Sequence, residues 1–223
     1  MAETAKNAPA PLSERKHHAI QQAGTDIFLL QGYTSATMDM IAAEAGVSKQ
    51  TVYNHFENKE RLFKAIIEEL TTNLMAPLLV RDAAQCDPEE VLSGLARDFL
   101  ALMLRPSSLA LYRLIVSESA RFPELGEEIY ATGAGRMLGM LSDYLSRETR
   151  SGRLSVAQPA LAAEQFIGML TGRMQLRALL GVAPAPDEAE LKCREEYAVS
   201  CFLALYAPPR PRDGTTFDPT EPR

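Results

Sequence analysis

The chain has 223 residues, 46% of them hydrophobic and 23% charged, a balance that fits a globular protein and favours neither a disordered nor a fibrous one. Its longest stretch without Lys, Arg, Asp or Glu is the 13 residues from Tyr197 to Pro209, too short for a helix that spans a bilayer, and MAETAKNAPAPLSERKHH has no apolar segment resembling a signal peptide. A cytoplasmic protein with no membrane partner is therefore expected. The net charge of −6 is unevenly spread: residues 1 to 64 hold seven basic and seven acidic side chains, residues 65 to 223 hold 16 and 22.

All three histidines and five of the six lysines lie in the neutral first part, so a locally basic surface there is compatible with a pI near 5.2. Cys86, Cys193 and Cys201 form no C-x-x-C pair, which argues against a disulfide framework or a thiolate zinc site. They read as buried or idle thiols.

Along the chain, turn signals cut the sequence into pieces of helical length, and almost nothing alternates at period two; the fold class read is all-α, about nine helices in total. Residues 13 to 31 carry Ile20, Ala23, Ile27 and Phe28 on one stripe that Gly32 stops. Met38, Ile41, Ala42 and Ala45 give a second, shorter stripe ended by Gly46. After SKQTVYNHF, Asn58 can cap a helix that turns Leu62, Phe63, Ile66, Ile67, Leu70 and Leu74 inward. In D-P-E-E, Asp87 to Glu90, the acid, the proline and the Glu at the third position satisfy the free donors of a new helix to about Leu104. Pro106 and Pro123 bound another helix. A long one is predicted from Glu124 to about Arg150, interrupted in composition by Gly133, Gly135 and Gly139. Pro159 opens a helix to about Gly181, and Asp187 with Glu190 opens the last, to about Tyr206. Residues 1 to 11 and 207 to 223 read as disordered ends. The expected organisation is a small helical unit over 12 to 60 and a larger helical unit over 61 to 206.

The segment Thr37 to Phe56, TMDMIAAEAGVSKQTVYNHF, has the form of a helix-turn-helix. Ala42 suits a close crossing of two short helices, Gly46 suits the left-handed backbone of the turn, and Val47 and Val52 fill the angle between the helices. Ser48 can cap the second helix, which leaves Lys49, Gln50 and Thr51 pointing outward to read base edges.

Phe28, Gly32, Tyr33, Thr37, Ile41, Ala42, Ala45, Gly46, Val47, Ser48, Tyr53, His55, Phe56, Lys59 and Leu62 resemble the N-terminal signature of the TetR family of bacterial transcriptional regulators. The resemblance covers about residues 14 to 66. It implies a homodimeric repressor on a pseudo-palindromic operator, with a three-helix DNA-binding domain and a helical C-terminal domain that holds a small-molecule inducer and makes the dimer. It also implies that Thr37, Tyr53, His55 and Lys59 contact phosphates. These residue types, and their places at helix ends, suit phosphate oxygens. Gln50 departs from the small residues common at its position in the family and can pair with adenine. Further on, Tyr112 to Gly133, YRLIVSESARFPELGEEIYATG, is similar to the C-terminal domain of AefR-like regulators.

For the pocket and the dimer seam only helical geometry is available. On the 159 to 181 helix, Leu161, Gly168, Gly172, Gln175 and Leu179 share one face; two glycines four apart suit close helix approach, so this face is expected at the dimer interface. Phe166, Met169, Leu170 and Arg173 share the other face and are expected, with Met103 and Tyr112, to bind an apolar or aromatic inducer.

The enzyme motifs sought are missing. There is no G-x-S-x-G, H-E-x-x-H or P-loop, and after Gly133-Ala134-Gly135 a leucine, Leu138, stands where a dinucleotide fingerprint needs its third glycine. No enzyme activity, cofactor or metal is expected. The alternative weighed is a helix-turn-helix protein that works without a ligand, architectural or constitutive.

Overall fold

A computed structural model describes residues 12 to 79, 86 to 182 and 186 to 208. The predicted end segments, 1 to 11 and all of 207 to 223 except its first two residues, lie outside the described residues. Among those described, the regular elements are helical: α1 (Leu12–Ser35), α2 (Met38–Glu44), α3 (Lys49–His55), α4 (Lys59–Leu79), α5 (Pro88–Met103), α6 (Pro106–Ser119), α7 (Pro123–Tyr130), a π turn (Ala131–Gly135), α8 (Arg136–Arg150), α9 (Pro159–Leu180) and α10 (Glu188–Tyr206). Because α7, the π turn and α8 run on without a break, these make nine separate rods.

The starts follow from backbone donors that a first turn leaves unpaired. Thr37, Ser48, Asp87 and Asp187 each accept an N–H bond on the side chain at the head of α2, α3, α5 and α10, and Asn58 Oδ1 accepts from Arg61 N–H at 2.8 Å at the head of α4. Prolines open α5, α6, α7 and α9, where the missing N–H costs nothing. The predicted stop at Gly32 is a kink: its φ of 77° breaks the helical path, and α1 resumes as far as Ser35. The predicted single helix from Glu124 to Arg150 is one continuous rod that passes through the π turn. There a Cβ on Gly133 would lie 3.0 Å from Ile67 Cγ2, so the glycine lets α4 come close.

Two cores result. In the first, Ile20 and Phe28 of α1, Ile41 of α2, Val52 of α3 and Leu62 and Phe63 of α4 are all buried, and Leu111, Leu125 and Ile129 of α6 and α7 join them. The second packs Leu92, Leu95 and Leu100 of α5 against Leu141 and Tyr144 of α8, Phe166 and Leu170 of α9 and Phe202 of α10. Each fully buried side chain of this size contributes about 1.5–3 kcal/mol. Helix α4 belongs to both, with Ile66 and Ile67 in the first core and Leu74 in the second. The first core therefore extends well past residue 60. No single described helix is long and apolar enough to cross a membrane.

Candidate DNA interface and ligand cavity

Helices α2 and α3 meet at a tight turn whose geometry explains its sequence. Gly46 has φ 64°, the left-handed conformation that a side chain disfavours. Val47 N–H then donates to the Ala42 carbonyl at 3.0 Å, and Ala42 and Val52 are buried between the helices. Ser48 Oγ accepts from Thr51 N–H at 3.1 Å and lies 2.8 Å from the Thr51 hydroxyl. With Val52 committed inward, α3 turns Ser48, Lys49, Gln50, Tyr53 and Asn54 to solvent, and Tyr53 is 42% exposed.

Several of these side chains are already held. Gln50 Nε2 donates to Asn54 Oδ1 at 2.9 Å, one turn on. Lys49 Nζ forms an ion pair with Asp39 of α2 at 2.8 Å, and this carboxylate holds the ammonium pKa above its usual value. Thr37 is exposed and spends a lone pair on Met40 N–H, which leaves its hydroxyl proton for an acceptor outside. His55 packs at the end of α3, with ring centres 5.6 Å from His17 and 6.4 Å from Phe56.

Lys59 is placed differently from the expectation. Its ammonium donates to the carbonyls of Tyr33, Thr34 and Ala36 at 2.6, 3.2 and 3.2 Å and lies 4.5 Å from the centre of the Tyr33 ring. The kink at Gly32 leaves carbonyls at the end of α1 without helical partners, and this cation takes them up. Burial lowers the pKa of the lysine. The ammonium is a bracket between α1 and α4, not a cation presented outward.

At the other end of α4, helices α4, α5, α6, the π turn, α8 and α9 line a cavity of about 490 Å³ that opens to solvent. Ile67, Leu70 and Leu74 of α4, Phe99 and Met103 of α5, Leu111 and Tyr112 of α6, and Met137 and Leu138 of α8 make a largely apolar wall. Glu164, Gly168, Thr171 and Gln175 of α9 complete it.

Comparison with known proteins gives this arrangement its family. Residues 20–66 match the model of the bacterial regulatory proteins of the tetR family, and residues 90–208 match that of the AefR-like transcriptional repressor C-terminal domain. The chain belongs to the TetR family of bacterial transcriptional regulators. A solved TetR-family regulator from Mesorhizobium loti MAFF303099 is 32% identical, with a TM-score of 0.73 over 88% of this chain and 99% of that one. The flavonoid-responsive regulator FrrA is 31% identical, with a TM-score of 0.68 over 87% of this chain and 98% of its own. The transcriptional regulator BetI of Rhizobium meliloti (strain 1021) is 28% identical over 187 residues, 82% of this chain and 87% of that protein. Like its relatives, the protein is a DNA-binding transcriptional regulator.

Within this TetR-family fold, neither face predicted for α9 meets its surroundings as a unit. Phe166 and Leu170 are fully buried away from the cavity, Phe166 edge-on to Phe202 at 5.0 Å. Met169 lies in an outer groove with Met174, Cys193, Tyr197 and Cys201, and Arg173 is exposed. Of the predicted ligand residues, Met103 and Tyr112 line the cavity. Gly168 and Gln175, predicted for the dimer seam, line it as well. Gly172 sits at a kink with φ 45° under the Arg194 guanidinium, Leu161 is exposed, and the Leu179 carbonyl accepts from Arg113 Nε at 2.8 Å. The physical reason is volume. Large apolar side chains fill the core and abolish space, whereas Gly168 and Thr171, facing Gly133 and Ala134, leave it open.

Sequence reasoning also missed Asn54 and Asp39, which orient Gln50 and Lys49; their spacings, four and ten residues away, were visible as pairs on adjoining helix faces. The cysteines are free, and Cys86 and Cys193 are exposed rather than buried.

Proposed function

We propose that the protein is a cytoplasmic, ligand-controlled repressor that binds a pseudo-palindromic operator as a homodimer and releases it when a small apolar or aromatic inducer enters the cavity. In this reading α1 to α3 make the DNA-binding unit and the later helices the ligand-binding and dimerisation unit. Thr37, Ser48, Tyr53 and His55 contact the DNA backbone, and Lys49, Gln50 and Thr51 read base edges. At position 59 the backbone N–H of the first turn of α4 serves a phosphate, the ammonium being engaged.

The observation that carries the reading is that one rod touches both places. Helix α4 supplies Ile67, Leu70, Thr71 and Leu74 to the cavity wall and is clamped at its other end, through Lys59, to the close of α1. A ligand that displaces the cavity end of α4 shifts the mount of the helix-turn-helix. It weakens DNA binding only by favouring the displaced state with its own binding energy. The match to a repressor C-terminal domain and the likeness to a regulator named flavonoid-responsive support both the sign and the response. For the dimer, the outer faces of α9 and α10 carry exposed Leu176, Leu180, Tyr197 and Leu205, apolar surface that a partner subunit would cover.

The test is a thermal-shift screen of lipophilic and aromatic compounds followed by DNA-binding measurements on the region upstream of its own gene. A true inducer at 100 times its Kd stabilises the protein by about 2.7 kcal/mol and lowers DNA affinity. Ligands that bind the cavity and leave DNA affinity unchanged would overturn the inducer role, in favour of the ligand-independent alternative.

A further inference from the structure

We propose that the cavity selects a ligand with an apolar body and a protonated amine, held by Glu164, and discriminates against carboxylate-bearing ligands. This rests on the ligand-controlled reading above and adds the chemical class. Among the described residues, Glu164 is the one charged side chain of the cavity wall, and no Lys, Arg or His lines it. Glu164 is exposed at the mouth, and no described cation forms an ion pair with it.

Two of the uncharged polar side chains favour the same ligand, while Ser108, Tyr112 and Gln175 of the wall can donate as well as accept and serve either class. Thr71 Oγ1 donates to the Ile67 carbonyl at 2.9 Å and Thr171 Oγ1 to the Ile167 carbonyl at 3.1 Å, so both hydroxyl protons are spent within their own helices. What these hydroxyls can offer the cavity is oxygen lone pairs, which accept from an ammonium and repel a carboxylate.

Two cations of the helices around the cavity are committed elsewhere. Arg113 donates to the carbonyls of Ala178 and Leu179 at 2.7 and 2.8 Å, and Lys64 pairs with Glu128 at 2.6 Å. A neighbouring groove, which shares Leu70, Leu102, Ser108 and Leu111 with the cavity, holds Arg105 and His18 with Asp26 and Glu69, and Glu69 lies 3.1 Å from His18 Nδ1. A ligand carboxylate would thus leave water for a largely apolar wall with a like charge at its mouth, a desolvation cost that no cation of the wall offsets. An ammonium would keep its charge beside Glu164 while its apolar body fills the space.

Calorimetric titration at pH 7 with three probes of one skeleton, 4-phenylbutylammonium, 4-phenylbutanol and 4-phenylbutanoate, tests this. The amine should bind more tightly than the carboxylate by on the order of fivefold or more, the alcohol falling between, as a partly exposed ion pair allows. Glu164→Gln should abolish the amine's advantage over the alcohol and leave alcohol binding unchanged. Gly168→Trp, which fills the cavity from a position where a Cβ meets nothing within 4 Å, should abolish binding of all three. The assignment is overturned if the carboxylate binds as tightly as the amine, if the preference survives Glu164→Gln, if Gly168→Trp still binds the amine, or if none of the probes binds. DNA affinity measured in the same titrations separates the two readings. Selective amine binding with unchanged DNA affinity contradicts the inducer role and leaves the ligand class standing; unselective binding that still releases DNA does the reverse.

Discussion

Lys59 Nζ lies 2.6 Å from the carbonyl oxygen of Tyr33 and 4.5 Å from the centre of its ring, so one ammonium both caps the end of α1 and rests on an aromatic face. Lys59→Met should therefore act on the fold before it acts on DNA binding. With three carbonyls left short of a donor, a loss of about 1.5–3 kcal/mol is expected, read as a lower midpoint in urea. An unchanged midpoint, together with a flatter plot of log DNA affinity against log salt, would return the ammonium to a phosphate.

The Lys49–Asp39 ion pair sets a second expectation. Both partners are exposed, and the carboxylate neutralises a cation on the outward face of α3. Asp39→Asn should free Lys49 for DNA. Affinity for the preferred operator should rise more than affinity for random duplex, because the freed ammonium reads base edges. Titrations against both duplexes decide it, and a fall in operator affinity would mean that Asp39 positions Lys49 for recognition.

Gln50 is held by Asn54 at 2.9 Å with its amide at the solvent face of α3. Gln50→Ala should cost about 1–3 kcal/mol on the preferred operator for each base that the glutamine reads, and leave random DNA nearly unaffected. Asn54→Ala should produce a smaller loss of the same kind, because it loosens the glutamine without removing it. Competition of operator against random duplex measures both.

His17 provides the pH dependence. Its ring lies 4.6 Å from that of Phe56 and 5.6 Å from that of His55, and burial first, then the neighbouring His55 and His18, lower its pKa. The folded protein thus prefers the neutral ring, while the unfolded chain takes up a proton near pH 6.5. Stability from this site is complete above about pH 6.5 and is lost as the pH falls from there through the lower folded pKa. His17→Gln should reduce the drop in Tm between pH 7 and 5, and an equal or larger drop in that variant would reject the assignment.

The N-terminal half was legible because each of its signals has a local cause. Gly46 turns left-handed, Thr37, Ser48 and Asn58 cap helices, and Ala42 and Val52 fill a crossing, all within a few residues of sequence. Helix starts at Asp87, Pro106, Pro123, Pro159 and Asp187 were legible for the same reason. The faces of α9 were not. Periodicity says that Phe166 and Leu170 share a side, but which neighbour that side meets depends on α5, α8 and α10, far away in sequence. Lys59 failed in another way: residue type and position suit a phosphate, and only the kink at Gly32 creates the carbonyls that claim it. The close packing at Gly133 likewise involves Ile67, 66 residues earlier.

The central claim, that α3 reads operator DNA in a two-fold dimer, is tested most directly by selecting binding sites for the full-length protein from a pool of random duplexes. The account predicts enrichment of a pseudo-palindrome whose half-site centres lie roughly 34–36 Å apart or a multiple of it, with base preference relaxed at matching positions of both half-sites when the selection is repeated with Gln50→Ala. No enrichment over the starting pool, or an unsymmetrical site that Gln50→Ala leaves unchanged, would contradict it.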